Sequence, residues 1–202
     1  PEFNWLPRKF KIAVSGCEHD RAAVQVHDIG INLVRNSQQE VGFQILVGGG
    51  LGRTPVIGSV IREFLPKQHL LTYLESILRV YNRLGRRDNK FKARIKILVR
   101  AMTPKVFAEK VEEDWAALKD GAVTITDAEF ARVQACFTAP AYQELSDECD
   151  QLASRISDDS GFKNWTLRNV GEHKQPGYAI VTLALSRGGV APGDVSDEQM
   201  EL

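Results

Sequence analysis

Two lysines, Lys9 and Lys11, stand two residues apart in the run Arg8-Lys9-Phe10-Lys11. On an extended chain this spacing points both ammonium groups to one side, about 7 Å apart, while Arg8 and Phe10 face the other way. Paired ammonium groups suit a small dianion or a set of carboxylates, and Arg8 is long enough to reach around and join them. The same pattern also suits a solvated strand edge guarded by lysines. A second feature is Gly48-Gly49-Gly50, followed by Leu51-Gly52-Arg53-Thr54-Pro55. Consecutive glycines after an apolar run either bring backbone close to something or form a tight turn. The run lacks the Lys-Ser/Thr pair of a Walker loop and the glycine spacing of a dinucleotide fingerprint.

The third feature is a cationic stretch comprising Arg79, Arg83, Arg86, Arg87, Lys90, Lys92, Arg94, Lys96 and Arg100, with Asp88 its single acid. It can serve as a solvated face, bind nucleic acid or clamp a polyanionic small molecule. No aromatic residues interleave with the basic ones on an exposed face, so base stacking on a single strand is poorly supported. His19, His27, His69 and His173 show no paired metal-ligand spacing. His27 beside Asp28 reads either as an oriented acid/base or, more commonly for such a pair, as a partner in a local turn hydrogen bond, and Cys17 reads as a structural thiol.

These groups need elements to position them. Residues 8–15 read as a strand, 24–34 as a second and Phe43 to Val47 as a third. A helix is predicted over 68–84, with Leu70, Leu71, Leu74, Ile77, Leu78 and Tyr81 as its apolar stripe. Glu75 and Arg79 are spaced as an i,i+4 pair, and Gly85 is a natural stop. A second helix is expected over 89–101, with Phe91, Ile95, Leu98 and Met102 on one face and Lys92, Lys96 and Arg100 on another. Thr103 caps a third that opens on Pro104 and buries Phe107, Val111, Trp115 and Leu118. Thr126 with Glu129 marks a capping box for a helix through about 138, and another is expected over 142–155. Ser157 to Gly161 reads as a linker. Beyond it come a strand over Tyr178 to Leu185, a turn over Gly188 to Asp194, and a capping box at Ser196 and Gln199 just before Leu202.

The chain has 202 residues, 26 basic and 26 acidic, for zero formal net charge. The zero is a sum of opposed patches, since the acids gather at Glu109 to Asp114 and from Glu144 to Asp159. Hydrophobic residues make up 43% and charged residues 26%, the usual globular range. No apolar run of about 18 residues predicts a transmembrane helix, and no charged-then-apolar leader predicts a secretory signal. The three cysteines, Cys17, Cys136 and Cys149, fit neither a disulfide framework nor a zinc or cluster motif. That usage points to a reducing cytoplasm.

Taken in order, LPRKFK at 6–11, VHDIGI at 26–31, GFQILVGGGLGRTP at 42–55 and GRRDNKFKARIKILV at 85–99 resemble the sirohaem-dependent nitrite and sulfite reductases. NVGEHKQPGYAIVTLAL at 169–185 and GVAPGD at 189–194 resemble the start of that family's second ferredoxin-like half domain. Within the family, the resemblance is greatest to the haemoprotein subunits of bacterial assimilatory sulfite reductases.

The resemblance implies six-electron reduction of sulfite to sulfide, or of nitrite to ammonia, at a sirohaem bridged to a 4Fe-4S cluster. It implies that Lys9 and Lys11 bind the oxyanion and help supply protons. Arg8, Lys9 and Lys11 would approach the sirohaem carboxylates, Gly48, Gly49, Gly50 and Leu51 would pack near the macrocycle, and Arg94 and Lys96 would pair with its carboxylates. His27 stands where many relatives have Asn and is given no role. The implied partners are the substrate anion and an electron donor, either a flavoprotein subunit or ferredoxin, with no nucleic acid and no membrane. Sirohaem carries eight carboxylates, which demands dense positive charge from an otherwise neutral protein.

The family's cluster cysteines have no counterpart pattern in this sequence, and two further substrate arginines lie in a part of the family ahead of the stretch resembled. The chain therefore reads as an internal fragment, inactive alone. The expected fold is α+β, a mixed sheet flanked by helices plus an incomplete ferredoxin-like half domain. Residues 1–158 are expected to form the C-terminal portion of a sirohaem-binding nitrite/sulfite reductase domain, and 159–202 the start of the second half domain. The rival from another class is a non-redox polyanion or nucleic-acid module using the basic residues 79–100.

Overall fold

The computed structural model describes residues 2–146, 148–185, 189 and 191–201. Alternating apolar residues build a four-stranded mixed sheet in the order β1 (Ile12–Ser15), β2 (Ile29–Arg35), β3 (Val41–Val47) and β4 (Ser59–Pro66). β1 pairs parallel to β2, with Ile12 opposite Ile29; the other two pairings are antiparallel. Ile29 and Ile31 of β2, Ile45 and Val47 of β3, and Leu65 of β4 form the sheet's share of the core.

Helices α1 (Leu70–Leu84), α2 (Ile95–Met102) and α3 (Pro104–Trp115) complete that core with Tyr73, Ile77, Val80, Tyr81, Ile95, Val99, Phe107, Val111 and Trp115. The result is the expected α+β mixed sheet with flanking helices. α4 (Asp127–Gln134) closes the first of two compact units, Pro1–Phe137. The second unit, Thr138–Leu202, contains α5 (Asp150–Asp158), α6 (Ser160–Asn169), the antiparallel pair β5 (Val170–Glu172) and β6 (Ala179–Val181), and α7 (Asp197–Met200).

Several elements differ from the sequence expectation for identifiable reasons. The strand expected from residue 8 begins only at Ile12, and residues 8–11 run without strand pairing. Residues 24–26 form a 3-10 turn, because Asp20 Oδ1 accepts the Val24 N–H at 2.9 Å and folds the chain over Gly30. A Cβ on Gly30 would lie 2.4 Å from the Val24 carbonyl oxygen. β4 escaped notice because register shifts around Ile45 break its alternation and set Arg62 beside Tyr73 and Trp115.

The buried face of α1 carries Thr72, Tyr73, Ser76 and Val80 as well as Ile77 and Tyr81, while Leu71 is exposed. Cross-helix bonds set this rotation: the Trp115 indole donates to Thr72 Oγ1 at 2.9 Å, and the Tyr73 hydroxyl donates to Glu112 at 2.8 Å. Burial first, then that bond, pushes the Tyr73 hydroxyl well above the usual phenol range. Arg79 pairs with Glu2 and Asp114 rather than with Glu75.

Phe91 is 80% exposed because residues 90–92 form a separate 3-10 turn, capped by Asn89, which puts them out of register with α2. The Thr103 cap and Pro104 start of α3 are as expected. Thr126 caps α4 through the Glu129 N–H, but the Glu129 carboxylate pairs with Arg132 and the helix stops at Gln134.

In the second unit, the helix expected over 142–155 is displaced to Asp150–Asp158. The stretch read as a linker is a helix junction in which Asp159 Oδ1 accepts the Phe162 N–H at 2.9 Å. The strand expected over 178–185 is limited to Ala179–Val181, and the Ser196–Gln199 capping box forms in full. In the turn expected over 188–194, Gly188 and Val190 lie outside the described residues, as does Leu202.

Candidate functional site: a cationic segment tied to a glycine loop

Phe10 turns inward and stacks on Tyr81, ring centroids 6.0 Å apart. Its neighbours Lys9 and Lys11 are exposed, as is Arg8. Of the strand expectation only the inward turn of Phe10 is seen, since Arg8 is exposed along with both lysines. Among the described residues, none of these three cations makes an ion pair. The segment leads directly into β1, which lies at the edge of the sheet.

The segment's main chain is held by a residue to which the sequence reading gave no role. Asp28 is fully buried, and its Oδ2 accepts the Lys11 N–H at 3.0 Å. The Arg94 guanidinium closes on the same carboxylate. The Asp28 carbonyl accepts the Gly48 N–H at 3.0 Å, and the Lys11 carbonyl accepts the Ile29 N–H at 3.1 Å. One residue therefore joins the lysine segment, the glycine loop and the start of α2. Its only sequence sign was an acid placed directly before an apolar strand. His27 beside it makes a local turn contact as expected, with Nδ1 2.8 Å from the Ala23 carbonyl oxygen.

The glycine loop is constrained from within. Gly48 has φ +82°, a left-handed conformation that glycine adopts without a Cβ penalty. A Cβ on Gly49 would lie 2.4 Å from the Gln25 carbonyl oxygen and 2.6 Å from that of His27. Gly50 and Val56 exchange two main-chain bonds at 2.9 and 2.8 Å, which closes residues 51–55 into a turn. Leu51 is exposed at its tip. Beneath it, the buried Lys96 ammonium donates to the Leu51 carbonyl at 3.2 Å and the Thr54 carbonyl at 2.6 Å. Burial, followed by the charge of Arg94, lowers the Lys96 pKa from its ordinary value. Lys96 is thus an internal clamp on the loop, whereas the family resemblance implied a pairing with sirohaem carboxylates.

The basic stretch is neutralised in part, with four of its nine basic residues paired with acids. Arg79 and Arg83 share Asp114, Arg86 pairs with Asp88, and Arg94 pairs with Asp28. Arg87 donates to the Trp5 and Asn82 carbonyls. A groove of about 540 Å³ lies away from the lysine segment, along α1 and α3, lined by both signs of charge at Arg79, Arg83, Lys110, Glu113 and Asp114.

Residues 1–119 match the family model described as "Nitrite and sulphite reductase 4Fe-4S domain". The chain belongs to that family. Among relatives of this reductase family, the chain is similar to the "Sulfite reductase [NADPH] hemoprotein beta-component" of Leptospira biflexa, at 31% identity over 116 residues, covering 54% of this chain and 21% of the relative. It is also similar to "Sulfite reductase [ferredoxin] 1" of Mycolicibacterium paratuberculosis, at 30% identity over 115 residues, 57% of this chain and 20% of the relative. The chain thus spans about a fifth of the length of the curated relatives it matches. Among solved structures it is similar to the NirA protein of Mycobacterium tuberculosis, with a TM-score of 0.54 and 28% identity over 60% of this chain and 22% of that one.

The family implies oxidoreductase chemistry with sirohaem and iron–sulfur cofactors. The exposed, unpaired Arg8, Lys9 and Lys11 fit a ligand rich in carboxylates. For the cluster, no group of three or more His, Cys, Asp or Glu residues converges among the described residues, and Cys17, Cys136 and Cys149 are free and exposed. No described helix is long and apolar enough to cross a membrane.

Proposed function

We propose that this chain supplies the anion-binding segment and part of the sirohaem cradle of a sulfite reductase haemoprotein. The observation that carries this reading is the pair of exposed, unpaired lysines flanking the anchored Phe10, on main chain tied through Asp28 to the glycine loop. Lys9 and Lys11 present two ammonium groups to an incoming oxyanion. Among the described residues neither ammonium group makes an ion pair, so its charge is available to the ligand. Charge-assisted hydrogen bonds of this kind strengthen where the anion gains negative charge. The Nζ protons are also positioned donors for S–O or N–O cleavage.

Arg8, Lys9 and Lys11 would hold sirohaem carboxylates, whereas Arg94 and Lys96 face Asp28 and the loop carbonyls and would act from behind. When bound, the sirohaem supplies the site at which electrons reach the substrate. Residues 1–158 then form the C-terminal part of the sirohaem domain, and 159–202 open the second ferredoxin-like half domain. Sulfite is the proposed substrate, from cytoplasmic sulfur assimilation, with a flavoprotein subunit or ferredoxin as the electron donor. Nitrite is the alternative that the same lysines would accept. The polyanion-module reading is narrowed, because Arg79, Arg83, Arg86 and Arg94 are paired with acids, and it rests on the exposed Lys90, Lys92 and Arg100.

The test is a sulfite titration of the isotopically labelled chain followed by amide NMR. Shifts should centre on residues 8–11 and disappear in the Lys9→Ala/Lys11→Ala variant. An unchanged response in that variant rejects the reading. Methyl-viologen-dependent sulfite reduction by the chain supplied with sirohaem should show no turnover; robust turnover would overturn the proposal that this segment is inactive alone.

A further inference from the structure

Among the described residues the exposed lysines make no side-chain hydrogen bond or ion pair, so their placement depends on main chain. That main chain is fixed at three points: Phe10, stacked on Tyr81; the Lys11 N–H, received by Asp28 Oδ2 at 3.0 Å; and the Lys11 carbonyl, which accepts the Ile29 N–H at 3.1 Å. The Asp28 carboxylate is in turn locked by Arg94, and its own carbonyl holds Gly48. A fully buried carboxylate costs several kcal/mol of desolvation unless it is paired and hydrogen-bonded. Asp28 meets that requirement with three donors from two distant segments.

We propose that Asp28 is the positioning residue of the anion site, setting the Lys9–Lys11 pair against the glycine loop through the Lys11 amide, with Arg94 as its counter-charge. This rests on the anion-binding role of the lysines proposed above. Asp28 itself does not touch the substrate. It fixes the distance between the ammonium pair and Gly48, so that both meet one bound ligand without a rearrangement on binding.

The experiment uses the full chain with sodium sulfite as the probe, and combines amide hydrogen exchange with sulfite titration. In Asp28→Ala, exchange at the Lys11 amide should rise about 10- to 100-fold, the loss expected for a charge-assisted bond. Amides within α1 should change far less. Sulfite affinity should fall about tenfold, and the same substitution should produce no further loss in a Lys9→Ala/Lys11→Ala background. Where Asp28→Ala does not fold, Asp28→Asn keeps the shape and one acceptor oxygen and should show the same pattern to a smaller degree.

Equal acceleration at Lys11 and across α1, with sulfite affinity unchanged, would overturn the proposal and leave Asp28 as a stabilising residue only. Additive loss in the double-lysine background would overturn it too. Were the double-lysine variant to bind sulfite like the parent, the oxyanion reading would fail. The Lys11 exchange rate would then still decide whether Asp28 sets this segment.

Discussion

The Arg94 guanidinium donates through Nε and one terminal nitrogen to the two oxygens of Asp28, at 3.1 and 2.6 Å, and the Asp28 side chain is almost wholly excluded from solvent. Removing one partner of such a pair leaves a buried charge uncompensated and costs about 3–5 kcal/mol. Arg94→Gln should therefore lower unfolding stability by that order in urea denaturation. Adding Asp28→Asn to Arg94→Gln should restore part of the loss, because the stranded charge is then gone.

Lys9→Ala and Lys11→Ala act on exposed side chains without partners, so the thermal midpoint should stay within about 1 °C of the parent, consistent with the small effects typical of surface sites. In an enzyme containing this segment, each should cut sulfite reduction roughly 10- to 100-fold, the equivalent of about 1.5–3 kcal/mol for a hydrogen bond to a charged group. Steady-state kinetics with varied sulfite would measure this.

Gly49→Ala tests whether the glycine run is dictated by internal packing. The added methyl would meet two main-chain oxygens at 2.4 and 2.6 Å, and main chain cannot swing aside as a side-chain tip can. Overpacking of this kind costs about 1–3 kcal/mol. Gly52→Ala, where nothing lies within 4 Å, should show no clash penalty and suffer only from its φ of +101°. Denaturant midpoints of the two variants should separate these causes.

Tyr81 gives a pH signature. Burial, followed by the negative charge of Asp28, raises its hydroxyl from the ordinary 10.0 to about 12. A group whose folded-state value is raised contributes stability that is complete below the unfolded value and fades as pH climbs to the folded one. The stability difference between the parent and Tyr81→Phe should therefore be constant below pH 10 and shrink between pH 10 and 12. Tyr81→Phe should also lower stability at neutral pH by about 1–3 kcal/mol, since the Ala93 carbonyl loses its 2.7 Å donor. Thermal melts across that range would show both.

What the sequence revealed was mostly local. The Thr103–Pro104 start of α3 and the Ser196–Gln199 box each involve residues within one turn, so their chemistry could be read directly from spacing. Of the alternation expected over 8–11, only the inward turn of Phe10 is seen, because Arg8 is exposed like the two lysines. Asp28 remained unread because its partners, Lys11, Gly48 and Arg94, lie in three separate segments. The burial of Lys96 could not be read from helical spacing, because it is set by the Leu51 and Thr54 carbonyls of a loop distant in sequence. The Glu75–Arg79 pairing failed because Arg79 had two better acids, Glu2 and Asp114, supplied by distant parts of the chain.

Every fully buried side chain among the described residues lies before residue 138; none of residues 138–201 that is described reaches that state. Calorimetry should reflect this imbalance. At about 12–15 cal/mol/K per residue, a cooperative melt of the first unit alone corresponds to a heat-capacity increment of about 1.6–2.1 kcal/mol/K, against about 2.4–3.0 for the whole chain. The increment should fall near the lower range, so the molecule would register on a calorimeter as a smaller protein than its mass suggests.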